Sequence, residues 1–149
     1  MHDINGGPPK SLLHLELAAE QASVALLADR IAALAEEQGW EASLGFQVDL
    51  VLEELVQNIV SYGYPEGNPG QLLVSITEQA GALLIRIEDD GIPFDPFALP
   101  EPDTEAAIEE RRIGGLGVHF SRELTDHHSY RRHNNHNCVE LVKRRTPER

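Results

Sequence analysis

In the stretch Asp49-Leu-Val-Leu-Glu-Glu-Leu-Val-Gln-Asn58-Ile-Val-Ser-Tyr-Gly-Tyr64, a carboxylate and a carboxamide stand four residues apart, at Glu54 and Asn58. Apolar residues recur at 44, 48, 51, 52, 55, 59 and 62, which is the period of an amphipathic helix. At about 100° per residue, Leu55 marks the centre of the apolar stripe. Glu53 and Gln57 then point away from it, and Glu53 reads as a solvated surface acid. Glu54 and Asn58 lie on one flank of the stripe, one turn apart, where both can face the same ligand. Alone, the pair also fits an ordinary helix with polar residues at the edge of its buried face.

Two further stretches carry chemistry. In the strand pattern over 82–89, Leu83, Ile85 and Ile87 share one face, and Asp89 continues it. A carboxylate in line with core positions is costly unless something pairs with it; the alternative is that the strand has ended and Asp89 sits in the turn. Further on, Gly114-Gly-Leu-Gly117 opens a helical pattern. Bare N–H groups and the positive dipole end make such a start a generic anion site. No G-x-G-x-x-G follows the first strand and no Gly-Lys-Ser/Thr occurs, so the dinucleotide and P-loop fingerprints are absent. The glycine-rich loop and H-R-D set of ordinary protein kinases are missing too. His127, His128, His133, His136 and Cys138 are the right types for zinc, but their spacing matches no standard zinc pattern.

The elements that must position these groups follow in order. Residues 1–10 read as a flexible lead-in. Residues 11–18 read as a strand, about 20–38 as a helix closed by Gly39, and about 43–62 as the helix described above. Pro65-Glu-Gly-Asn-Pro-Gly70 makes a turn. Strands are expected at about 71–78 and 82–89, joined by Gln79-Ala80-Gly81. Residues 91–113 are Pro-rich and weakly periodic, and loops of that length are usually functional lids or disordered. A last helix is expected at about 116–126, then strands at about 127–133 and 137–144 around an Asn134-Asn135 turn. This order implies an α+β fold: a two-layer α/β sandwich with one mixed or antiparallel sheet and helices on one face.

The 149 residues suffice for one domain with a sizeable core. No apolar run approaches the roughly 20 residues that cross a bilayer, the N-terminus does not read as a secretory signal, and a single cysteine permits no internal disulfide. A cytoplasmic location, with no membrane, is expected. The net charge of −13 is uneven. Residues 1–110 hold 3 basic and 21 acidic side chains, and residues 111–149 hold 9 and 4. An acidic body repels nucleic acid and suits a basic protein partner, or serves solubility alone.

In their order and spacing, Glu54-Leu-Val-Gln-Asn58 with Tyr62-Gly-Tyr64, Asp89-Asp-Gly-Ile-Pro-Phe-Asp-Pro96 and Ile113-Gly-Gly-Leu-Gly-Val-His119 closely resemble the ATP-binding (Bergerat) domain of the GHKL superfamily. The nearest resemblance is to the bacterial anti-sigma-factor serine kinases of the RsbW type, over roughly residues 11–145. Tyr130-Arg-Arg fits as well. The resemblance implies ATP and Mg²⁺ as cofactors. Asn58 would hold Mg²⁺ beside the phosphates, and Glu54 would be the general base for an attacking hydroxyl. Asp89 would accept a hydrogen bond from the adenine amino group, and Gly91 would let the backbone approach the base. Gly115, Leu116 and Gly117 would offer N–H groups to phosphate. Residues 97–113 would be the ATP lid, with Arg111 or Arg112 reaching the γ-phosphate or forming a solvated pair. Two departures stand out: Tyr62 where the subgroup often has His, and Glu140 near a position that is often Thr, which leaves the far wall of the adenine pocket open.

The implied function is an ATP-dependent serine/threonine kinase and anti-sigma factor of a partner-switching system. It would phosphorylate a small antagonist protein, sequester a sigma factor and form a homodimer. The alternative is an ATP-gated binding regulator with little or no kinase activity. The catalytic domain of a sensor histidine kinase is the weaker reading, because nothing before residue 11 reads as a dimerisation helix carrying a phosphoacceptor histidine.

Overall fold

The computed structural model describes residues 8–67, 70–98, 121 and 123–145. The described elements are strand β1 (Lys10–Ala18), helix α1 (Gln21–Gln38), helix α2 (Ala42–Tyr62), strands β2 (Gln71–Gln79) and β3 (Ala82–Asp89), a 3-10 turn at Pro96–Ala98, and strands β4 (His127–His133) and β5 (His136–Arg144). The expected helix over 116–126 lies mostly outside the described residues; Ser121, Glu123 and Leu124 are helical.

The five strands form one sheet in the order β1-β2-β3-β5-β4, and every pairing is antiparallel. Period-2 alternation decides which face is buried. Leu72, Val74 and Ile76 on β2, Leu83, Ile85 and Ile87 on β3, and Val139 and Leu141 on β5 are all buried. Leu27, Ile31 and Leu34 of α1 and Val48, Leu52, Leu55 and Ile59 of α2 close over them in one cluster. The fold is therefore α+β, two layers deep. The opposite sheet face carries the Arg86–Glu88 ion pair at 2.8 Å and Glu140.

The breaks between elements have local causes. Gly39 ends α1 in the left-handed region at φ 67°, and its N–H bonds back to the last turn. Between β2 and β3, Gln79 pairs with Ala82, so Ala80 and Gly81 alone make the turn, at φ 56° and 78°. Asn134 and Asn135 do the same between β4 and β5, at φ 52° and 65°. Two successive positive φ values belong to the hairpin turn whose twist matches that of the strands.

Candidate functional site

Helix α2 passes beneath the sheet, and its last three turns carry the polar pair. Asn58 is fully enclosed, at 0% exposure. Its Oδ1 and Nδ2 find no hydrogen-bond partner among the described residues, and neither does Oε1 of Glu54. Leaving a buried polar group unpaired costs about 1–3 kcal/mol, so each such group calls for a reason. Burial also pushes the Glu54 carboxyl up to about 7. One turn apart, the helix thus holds an enclosed amide with both ends unspent and a carboxyl poised near neutrality.

Glu53 departs from the expected solvated acid. It is half-buried, and a hydrogen bond with Asp49, reinforced by burial, raises its carboxyl to about 7. Gln57 does turn outward, where it pairs with Gln21 of α1 at 2.7 and 3.0 Å.

Asp89 is the last residue of β3 and is 2% exposed, on the face of Leu83, Ile85 and Ile87. Its Oδ1 accepts from the Gly91 N–H at 2.9 Å and from Asn137 Nδ2 at 2.9 Å. Burial raises the carboxyl above the ordinary range, and those two bonds pull against the rise. Asp90 turns the other way. Burial lifts it, but bonds from the Tyr64 hydroxyl at 2.6 Å and the Gln71 N–H at 3.0 Å bring it below the usual carboxylate range.

The Asp-Asp-Gly loop is fastened to the end of α2. The Ile92 N–H donates to the Gly63 carbonyl at 3.0 Å, and the rings of Tyr62 and Phe94 lie 5.6 Å apart. A Cβ on Gly91 would stand 2.5 Å from that carbonyl, so the glycine answers first to the close approach of the two segments. Arg132 of β4 donates to the Gly91 carbonyl at 2.8 Å. Asn58 lies about 7.5 Å and Glu54 about 13.5 Å back from Gly63 along the helix axis, at 1.5 Å per residue. The loop after Asp89 therefore meets the C-terminal end of α2, with Asn58 and then Glu54 further back along the same helix.

A cleft of about 390 Å³ opens beside this loop, lined by Gly63, Tyr64, Gly70, Asp90, Gly91 and Arg132, among others. Of the expected site residues that are described, only Gly91 reaches it. Asn58 and Glu54 lie outside its lining.

The residue that sequence reasoning missed is Asn137. It is 1% exposed and stands directly across from Asp89 in the β3–β5 register. Glu140 lies on the opposite sheet face, 3.7 Å from Arg86. A signal existed, because Asn137 continues the core face of Val139 and Leu141 as Asp89 continues that of Ile87.

Arg111, Arg112, Gly115, Leu116 and Gly117 lie outside the described residues, as does the expected lid beyond Ala98. Among the described residues, no group of three or more His, Cys, Asp or Glu is placed to hold a metal ion. His136 sits with Nδ1 2.9 Å from the Asn134 carbonyl in the hairpin, and Cys138 is buried. No helix of the described residues is long and apolar enough to cross a membrane.

The histidine kinase-like ATPase domain family matches residues 17–143. The serine/threonine-protein kinase BtrW of Bordetella bronchiseptica is 27% identical over 109 residues, 73% of this chain and 77% of that protein. The RsbU and RsbW domains of Rv1364c from Mycobacterium tuberculosis share the fold, with a TM-score of 0.64 at 17% identity. That match covers 93% of this chain and 32% of the other, so the chain spans about a third of that protein's structure.

Proposed function

The chain belongs to the histidine kinase-like ATPase domain family, and on that premise we propose that it is an ATP-dependent serine/threonine protein kinase and anti-sigma factor of a partner-switching system. The observation that carries the reading is the pair on α2: Asn58, enclosed with both polar atoms without a partner among the described residues, and Glu54, a carboxyl near neutrality one turn away.

Asp89 would take the adenine amino group, with Gly91 holding the loop against α2. Asn58 Oδ1 is an uncharged oxygen, the donor type that Mg²⁺ accepts alongside water and phosphate. Bound there, Mg²⁺ would neutralise charge on the phosphates. Glu54 would accept the proton of the incoming hydroxyl, for which a base poised near the working pH is best suited. The glycine-rich Gly115-Leu116-Gly117 and the Arg111-Arg112 pair would complete the phosphate site.

The proposed substrate is a serine or threonine on a small antagonist protein, with a sigma factor as the second partner and a homodimer as the working form. The acidic balance of residues 1–110 suits a basic protein surface. The similarity to a protein named as a serine/threonine kinase supports the choice of reaction. The test is incubation with ATP and the antagonist, alongside pull-down of partners with and without nucleotide. Binding that depends on nucleotide, with no phosphoryl transfer, would make the chain an ATP-gated regulator instead.

A further inference from the structure

Asn137 makes four hydrogen bonds from its buried position. Its Nδ2 donates to Asp89 Oδ1 at 2.9 Å and to the Ile92 carbonyl at 2.8 Å. Its Oδ1 accepts from the Tyr130 hydroxyl at 2.6 Å and from the Phe94 N–H at 3.2 Å. The two ends of a carboxamide are often interchangeable, but here the backbone decides between them. A peptide N–H can only donate, so Oδ1 must face Phe94. A peptide carbonyl can only accept, so Nδ2 must face Ile92.

That choice propagates to both neighbours. The Tyr130 hydroxyl could donate or accept, and it is obliged to donate. Asp89 Oδ1 could be bare or protonated, and it is obliged to accept. The Gly91 N–H reaches the same oxygen and imposes the same polarity. Both bonds fall on Oδ1, so any proton that Asp89 takes up goes to Oδ2. In the ionised carboxylate, Oδ2 is the acceptor left to a ligand.

We propose that Tyr130 and Asn137 form a hydrogen-bond relay that fixes the polarity and rotamer of Asp89 and so sets the choice of nucleobase. An ionised Oδ2 held in this orientation accepts from a purine carrying an amino group at its 6-position. Neither Tyr130 nor Asn137 needs to touch the base; both are positioning residues. The inference rests on the nucleotide reading given above.

The test compares dissociation constants for two nucleotides that differ only in the amino group: ADP and purine riboside 5′-diphosphate. A hydrogen bond to a charged group should give the wild type a preference for ADP of about ten- to a hundredfold. Tyr130→Phe, which keeps the ring and loses the hydroxyl, should lower that ratio at least about threefold, and Asn137→Ala should bring it close to one. A merely structural role would weaken both nucleotides equally and leave the ratio alone. A wild-type ratio in Tyr130→Phe overturns the relay even if Asn137→Ala does not fold. A wild type that binds neither nucleotide overturns the nucleotide reading itself, and the relay with it.

Discussion

The carbonyl oxygen of Gly63, at the end of α2, sits where a Cβ on Gly91 would approach to 2.5 Å. Backbone, unlike a flexible side-chain tip, cannot step aside cheaply. Gly91→Ala should therefore push the Asp-Asp-Gly loop off α2, break the Ile92–Gly63 hydrogen bond and cost about 1–3 kcal/mol. Urea denaturation measures the loss. Unchanged stability would mean that the two segments are free to separate.

The β2–β3 turn offers a change in the opposite direction. Ala80 holds φ 56°, a region that costs a residue with a Cβ about 1–2 kcal/mol and that Asn tolerates better. Asn-Gly is the favoured pair for this turn. Ala80→Asn should raise stability by about 0.5–1 kcal/mol. The turn is remote from Asp89, at the other end of β3, so nucleotide binding should not change. A fall in melting temperature would contradict the turn assignment.

Asp89→Asn tests the base contact. Asn137 Nδ2 and the Gly91 N–H both donate to Oδ1, so the substituted amide would keep its oxygen there and turn its NH₂ toward the ligand. A donor would then meet the adenine amino donor. Nucleotide at 100 times its dissociation constant should stabilise the wild type by about 2.7 kcal/mol, and most of that should vanish in the variant. Asn58→Ala should weaken Mg²⁺-nucleotide binding as well. Equal thermal shifts in wild type and Asp89→Asn would remove Asp89 from the site.

Much of this arrangement was legible in the sequence. The helical period of α2 gave its length and its buried stripe, and alternation along β3 put Asp89 on the core face. Two things were not legible. The enclosure of Asn58 escaped because the stripe is drawn from apolar residues, and a polar residue does not announce its own burial. Asn137 escaped because its place opposite Asp89 depends on the β3–β5 register, and no short-range pattern fixes the pairing of strands joined by a long connection. The surroundings of Glu53 are hidden for a related reason: a helical wheel shows direction but not the neighbour, here Asp49, that hydrogen-bonds its carboxyl.

Stability should report the state of Glu54. Its carboxyl titrates at about 7 when folded, against an ordinary value of 4.5. Between those values the native state holds more protons than the unfolded chain, so stability falls as pH rises through that window and stays lost above it. Glu54→Gln removes the Glu54 part of this dependence, while the Glu53 carboxyl, also raised to about 7, keeps its own. At pH 8 the variant should be more stable than the wild type by about 1–2 kcal/mol, allowing for solvent screening of a partly exposed group, and at pH 4 the two should converge. A wild type with the greater margin at pH 8 would mean that Glu54 is paired rather than isolated.

The proposed role of Glu54 is that of general base in a working kinase. Its most direct test is single-turnover phosphoryl transfer to the antagonist protein, with Glu54→Gln and Glu53→Gln measured beside the wild type at saturating ATP. General-base help is typically worth about 10²–10⁴-fold, and Glu54→Gln should lose a factor in that range while its nucleotide affinity stays nearly intact. The wild-type rate should rise with pH to a plateau above about 7, and this rise should be absent from the variant. Glu53→Gln, whose carboxyl is engaged with Asp49, should transfer like the wild type. Transfer at the wild-type rate by Glu54→Gln, or its loss in Glu53→Gln instead, would contradict the assignment.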